Sequence, residues 1–599
     1  MGVIVGEGPE VLRRVWGTAL VLGLLAATAP VATARAETAE ARPLPLERHF
    51  DNRAVSDDDH PGEADFDGSG GSLSAQDLAA AGWTPGRDLT VQGARLNWPA
   101  RKAGEPDNAR ADGQSVRVRG RGDALAFLVA GTGGAPASGR GTVRYADGTR
   151  SVYRLTAPDW RTGPLATKAV ALPHVNGPDG QAVEKARLYV VTVPVARGRE
   201  VASVSLPRNR DLHVFDLAVR PAAHGWTGTW SAATSGYQSV GPWTDRTLRL
   251  VVHTSAGGPR VRIRLDNTFA GAPVRIGSAT VAVRAEGASS RGAPVPLSFR
   301  GAGSTEIPAG AQAYSDPLAF DVPRDSDLLV SFHLPGTVTA APTHRLAMQT
   351  SYVSGPGDHA RDGSAAAYTS TITSWPFLTG VDVGGGPGSV VLLGDSITDG
   401  EKSTPGANRR WPDVLADRLR AQRAVPRYGV LNHGISANRV VGDRYPGDGV
   451  STETGGVDAL HRLDRDVLAQ TSARTAVVFL GVNDVRWGAT SEQVIAGLRE
   501  IAARSHARGL RVLAATIVPC EGEARCTAAA DTERQEVNAW LRGRGAAAFD
   551  GVLDFDAVIR DPAHPSRILP AYDSGDHLHP GDAGLAALAE SVDLRMLRG

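Results

Sequence analysis

Three side chains in the last third of the chain have the types and spacing needed for nucleophilic catalysis. Ser396 sits in Gly394-Asp395-Ser396-Ile397, directly after an apolar run, and Asp576-His577-Leu578-His579-Pro580 lies near the C-terminus. A serine hydroxyl is a poor nucleophile until a base takes its proton. His579 can be that base. Asp576, three residues earlier, can accept from the second ring nitrogen, which fixes the tautomer and stabilises the imidazolium. A tetrahedral intermediate also needs donors for its oxyanion. The candidates are the backbone N–H groups of Ser396 and Gly434 and the side-chain amide of Asn483, within Asn432-His433-Gly434-Ile435 and Gly481-Val482-Asn483-Asp484. A side chain at position 434 would obstruct approach to a substrate, which gives glycine a reason there.

Each residue also has a plainer reading. Ser396 alone is a helix-capping serine; with the other three in order it reads as a nucleophile. His577 is the rival base, but Asp576 at minus three favours His579. Asp395 reads as a hydrogen-bond acceptor in the turn, and Asp399 is left open. Asn438, Arg439, Arg409 and Arg410 are candidates to line a cleft, with at least one arginine expected in a structural ion pair.

The elements that must position these groups form an α/β pattern from residue 384 onward, after Gly384-Gly385-Gly386-Pro387-Gly388. Short apolar strands are expected at 390–393, 429–431, 475–480, 511–518 and 551–553. Helices are expected at 411–422, from the capping box Thr490-Ser491-Glu492-Gln493 to Gly509, and after Pro580. Alternating strands and helices give a parallel sheet, and ligands bind beyond the carboxyl ends of its strands. Every candidate group follows one of these strands or precedes the last helix.

Upstream the chain is β-rich. Residues 50–221 and 222–383 read as two all-β sandwiches. The clearest hairpin runs over 141–155 with Asp147-Gly148 as its turn. The Ala-Pro-Gly-rich stretch 335–342 reads as a loop. Among the tryptophans, Trp83, Trp98, Trp160, Trp226, Trp230 and Trp243 are expected mostly in cores, with one or two at most touching a ligand. The acidic stretch Asp57-Asp58-Asp59 with Asp65 and Asp67 lacks EF-hand spacing and reads as a solvated loop rather than a Ca²⁺ site.

The N-terminus reads as an export signal: Arg13 and Arg14, an apolar run over 15–29, and Ala34-Arg35-Ala36, with cleavage before Glu37. Residues 1–36 are then the signal and 37–49 a linker. The run is short for a membrane span, and no later segment is apolar enough to cross a bilayer. Cys520 and Cys526 are the only cysteines, and in an exported protein they are expected to pair. Lys plus Arg equals Asp plus Glu at 64 each, so nothing in the charge balance points to nucleic acid. The expected protein is secreted and monomeric.

The residues in the last third resemble the four sequence blocks of the SGNH (GDSL) hydrolases. Gly394-Asp395-Ser396, Gly434, Asn483 and Asp576 with His579 stand in the family's order over about 200 residues. The resemblance implies a flavodoxin-like α/β/α domain over 384–599, no metal or other cofactor, and hydrolysis of carboxylic esters. It implies Ser396 as nucleophile and oxyanion donor, Gly434 and Asn483 as further donors, and Asp576 with His579 as the rest of a triad. Trp226-Thr227-Gly228-Thr229-Trp230 and Asn408-Arg409-Arg410-Trp411-Pro412 resemble exported actinobacterial members with a β domain directly before the hydrolase. Residues 50–221 resemble a β-sandwich module of exported glycoside-processing enzymes. The expected substrate is an acylated polysaccharide or a lipid ester. The alternatives are a glycan-binding protein with a vestigial hydrolase domain, or acyl transfer to a sugar hydroxyl.

Overall fold

The computed structural model describes residues 43–599. The expected signal segment and residues 37–42 of the expected linker lie outside the described residues, and the rest of that linker packs on the first β region, with Leu44 bridging Val116 and Leu46 buried. Within the first β region, the strand Ser115–Gly131 is buried on both faces along its second half. Ala126, Leu128 and Ala130 look into one core, and Leu125, Phe127 and Val129 into another. The period of two in a strand makes this possible. The hairpin forms as expected: Ala137–Tyr145 pairs with Arg150–Ala157, with Val143, Tyr145, Tyr153 and Leu155 inward. All six tryptophans named above are buried. Asp65 and Asp67 accept backbone N–H groups within their own loop.

A second sandwich follows, with a five-stranded sheet facing a seven-stranded one. Leu248, Leu250 and Val252 from one sheet meet Val261, Ile263, Val381 and Val383 from the other. The same core continues into the first β region, where Trp83 Nε1 donates to the Ala309 carbonyl at 2.9 Å. The stretch 335–342 is not a loop. It belongs to the strand Asp327–His344, which pairs across its length with Tyr237–His253. A long partner strand overrides the local turn signal of Pro335, Gly336 and Pro342, and carries the chain on to His344.

The C-terminal region contains five parallel strands: β1 (Ser389–Gly394), β2 (Gly429–Gly434), β3 (Ala473–Phe479), β4 (Arg511–Ala515) and β5 (Gly551–Leu553). Their order is β2-β1-β3-β4-β5, all parallel. This is the doubly wound flavodoxin-like order. β1 and β3 are apolar on both faces because helices cover each side. The helices Trp411–Ala421 and Asp582–Ser591 pack together, as do Ser491–Ala507 and Ala528–Arg542. The Ser491–Ala507 helix begins with the expected capping box, with Thr490 and Gln493 each accepting a backbone N–H of the other. The chain leaves β1 towards β2 on one side and returns to β3 on the other, which opens a crevice at their carboxyl ends.

Candidate active site

β1 ends at Gly394, and the chain turns at once into a short helix, Ser396–Asp399. Asp395 caps it by accepting from Ile397 N–H at 3.0 Å. That agrees with the sequence expectation for Asp395 and leaves Ser396 at the first helical position, where its N–H has no intrahelical acceptor. A Cβ on Gly394 would lie 2.1 Å from Thr398 Oγ1, so only glycine permits this tight turn.

The loop ahead of Asp582–Ser591 brings His579 over this turn. Ser396 Oγ lies 2.8 Å from His579 Nε2, and His579 Nδ1 lies 2.8 Å from Asp576 Oδ2. The other oxygen of Asp576 accepts the backbone N–H groups of Leu578 and His579 at 3.0 and 2.8 Å. Burial opposes ionisation of Asp576, but these donors outweigh it and hold its carboxyl well below the usual carboxylate range. His577, the rival base, points elsewhere and bonds Asp573 at 2.6 Å.

Asn483 follows β3 and is buried. Its Oδ1 accepts from Arg486 Nη1 at 2.9 Å, and its Nδ2 donates to the Asn438 carbonyl at 3.0 Å. A carboxamide has two N–H groups, so one remains for a ligand. Arg486 is braced by Glu523 at 2.8 Å. Glu523 lies in the loop closed by the Cys520–Cys526 disulfide.

Gly434 closes β2 beside the Ser396 helix. Its N–H donates to Asn432 Oδ1 at 2.9 Å. A Cβ there would come 2.2 Å from Asp399 N, so the residue lets β2 pack against the Ser396 helix. Three residues later, Ala437 adopts a left-handed backbone with φ of 62°. The carbonyl of its neighbour Asn438 accepts from Asn483 Nδ2 at 3.0 Å.

The other candidates are largely structural. Asn438 is buried and donates to the carbonyls of Gly455 and Val457. Arg410 pairs with Asp413 at 2.8 Å and Arg409 with Asp582 at 3.3 Å. Arg439 stacks on Trp487 at 4.7 Å. Two residues escaped the sequence reading. Glu401 Oε2 accepts from Ser436 Oγ at 2.6 Å and lies 3.6 Å from His579 Nε2. Arg462, fully buried, donates to the Gly394 and His433 carbonyls at 2.8 Å each and to Asn438 Oδ1 at 3.0 Å, tying β1, β2 and the loop together. Among the described residues one group could hold a metal, Asp443, Asp458 and His461. His461 Nδ1 already bonds Asp443 at 2.9 Å.

Burial, with Asp484 nearby, pushes the Asp395 carboxyl up to about 7. Its folded value is above its unfolded one, so the contribution to stability is full below the unfolded value and lost as pH rises through about 7. Asp395→Asn keeps a good cap and removes this titration. Between pH 5 and 8 the wild type should lose roughly 1–3 kcal/mol more stability than the variant, measured by denaturant unfolding. Equal pH dependence of the two proteins would exclude the titration of Asp395 as its source.

The fold and the groups gathered at its switch point define a carboxylic ester hydrolase. Residues 392–587 match the family model of the GDSL-like lipases/acylhydrolases, and the C-terminal domain belongs to that family. Residues 39–223 match the AziU2-like beta-sandwich domain. A search of curated proteins gives no match. Among solved structures, the chain is similar to a putative lipolytic protein of the G-D-S-L family from Desulfitobacterium hafniense, with 21% identity over 34% of this chain and 96% of that one and a TM-score of 0.27. A putative acylhydrolase from Bacteroides fragilis gives 17% identity over 35% and 86% at 0.26. A variant of an acetyl-xylooligosaccharide esterase from Geobacillus Stearmophilus gives 21% over 35% and 93% at 0.26.

Proposed function

We propose that the protein is a secreted serine esterase working through Ser396, His579 and Asp576 and an acyl-enzyme. The observation that carries this reading is the continuous relay of 2.8 Å contacts from Ser396 Oγ through His579 to Asp576. Ser396 Oγ attacks the ester carbonyl carbon while its proton passes to His579 Nε2. The oxyanion is met by the Ser396 N–H and the free N–H of Asn483, with the Gly434 N–H, which rests on Asn432 Oδ1, as the third donor. The intermediate collapses, the alcohol leaves with the proton from Nε2, and the acyl group stays on Ser396. Water then attacks, giving a proton to Nε2, and the second collapse releases the acid and returns the proton to Ser396.

The polar side chains around the relay favour a polar alcohol, such as that of an acylated polysaccharide. Glu401, Lys402, Ser436 and His577 stand around the relay, and Lys402 and His577 are about half exposed. Export rests on the N-terminal sequence pattern, and a disulfide is consistent with an oxidising compartment.

A fluorophosphonate probe tests the nucleophile. The wild type should take up one equivalent on the peptide containing Ser396, with loss of activity towards short p-nitrophenyl esters, and Ser396→Ala should take up none. Full activity after labelling, or labelling of another serine, would overturn the assignment. Product analysis with a sugar acceptor present distinguishes hydrolysis from acyl transfer.

A further inference from the structure

The second β region reaches the active site through one buried histidine. His344 closes the long strand Asp327–His344, and its side chain is 4% exposed. Its Nδ1 faces the Ala233 carbonyl at 2.8 Å. Its Nε2 faces the Leu346 carbonyl at 3.0 Å and Asp399 Oδ1 at 2.9 Å. Two of the three partners, the carbonyls, can only accept, and the carboxylate of Asp399 is the third. The contacts are those of an imidazole–carboxylate pair held between two carbonyls. Burial opposes a charge on the ring, but Asp399 and the carbonyls outweigh it and raise the His344 pKa above the usual value.

Asp399 is the last residue of the four-residue helix that starts with Ser396. Its second oxygen accepts the Ser436 N–H at 3.1 Å. Ser436 precedes Ala437, and Ser436 Oγ holds Glu401 beside His579. One carboxylate thus fixes the nucleophile's helix relative to the loop after β2, whose Asn438 carbonyl holds Asn483. Two other cations near it are committed elsewhere, Arg410 to Asp413 and Arg462 to Asp466.

We propose that His344 is a positioning residue for ester hydrolysis: supplied by the β region, it holds Asp399 as a clamp between the Ser396 helix and the loop at Ser436. The inference rests on the reading of Ser396 and His579 given above. It makes the second β region part of the catalytic unit rather than an appended module.

The test uses the full chain with His344→Ala, His344→Gln, Asp399→Asn and the double variant His344→Gln/Asp399→Asn. For His344→Ala we expect kcat to fall by about 10²-fold, the size of effect a small misplacement of reacting groups produces, with KM within about threefold. Fluorophosphonate should still reach one equivalent in folded protein, but more slowly by a similar factor. His344→Gln keeps an N–H towards Asp399 without the imidazole and should fall in between. The double variant should be no worse than the poorer single one, because both act through the same carboxylate. A purely structural role would lower the melting temperature or the labelled fraction and leave the labelling rate per site unchanged. That outcome overturns the proposal. So do wild-type kcat in His344→Gln and Asp399→Asn, should His344→Ala not fold, and additive losses in the double variant. Ser396→Ala is the control: if it retains activity, the reading of the site fails, whereas an inactive Ser396→Ala beside a fully active His344→Ala removes this inference alone.

Discussion

Ser396→Ala should lower kcat on a short-chain ester by at least about 10⁴-fold, with KM changed by no more than about threefold. The argument is local. Ser396 is 3% exposed, and loss of its Oγ takes one hydrogen bond from His579 Nε2 without touching the other partners of the loop. Asp576 still receives both backbone N–H groups and the ring N–H. The cap from Asp395 to Ile397 is intact as well, so the turn keeps its shape. What disappears is the only bond-forming oxygen in the relay. Residual turnover then comes from water in a site that still offers oxyanion donors. Steady-state kinetics beside a thermal melt checks this: kcat within tenfold of the wild type, with an unchanged melt, would show that ester cleavage happens elsewhere.

Much of this site can be read from residues alone, for a physical reason. A parallel strand buried on both faces is a short apolar run, so β1, β2 and β3 stand out, and functional groups must follow their carboxyl ends. Ser396 and Asn483 are found that way. Asp576 and His579 are found by their spacing, because three residues is what one tight loop needs to lay a carboxylate against a ring nitrogen. Gly434 shows where such reading stops. Its glycine is required by the backbone of Asp399, a close approach that only the packed structure shows. His344 is hidden for a second reason. It lies beyond Pro335, Gly336 and Pro342, whose local preference is for a turn, and pairing with Tyr237–His253 decides the outcome instead. Arg462 follows the same logic: besides Asp466, its acceptors come from β1, β2 and the loop after β2, and no spacing rule joins them.

Asp576→Asn should cost about 10⁴-fold in kcat through the tautomer of His579. In the wild type the two carboxylate oxygens have separate tasks. Oδ1 accepts from Leu578 N–H and His579 N–H, and Oδ2 accepts from His579 Nδ1. An asparagine has one acceptor and one donor in their place. Its oxygen must stay with the two backbone N–H groups, since turning the amide over would leave both facing another donor. The NH₂ group then points at Nδ1, which can meet it only as an acceptor. The ring proton moves to Nε2, 2.8 Å from Ser396 Oγ. The imidazole now donates to the nucleophile and cannot take its proton. Geometry and binding are preserved, so KM should stay within about threefold and labelling by fluorophosphonate should slow with kcat. The pH dependence follows the same group. Because the folded Asp576 carboxyl lies below its ordinary value, its support for the ring persists above the unfolded value and is lost only as pH falls through the folded one. An acid limb of kcat in the near-neutral range should therefore belong to another group and survive in the variant at its lower level. A variant with kcat within tenfold of the wild type would mean that His579 keeps its tautomer without Asp576, and that the carboxylate serves the loop rather than the reaction.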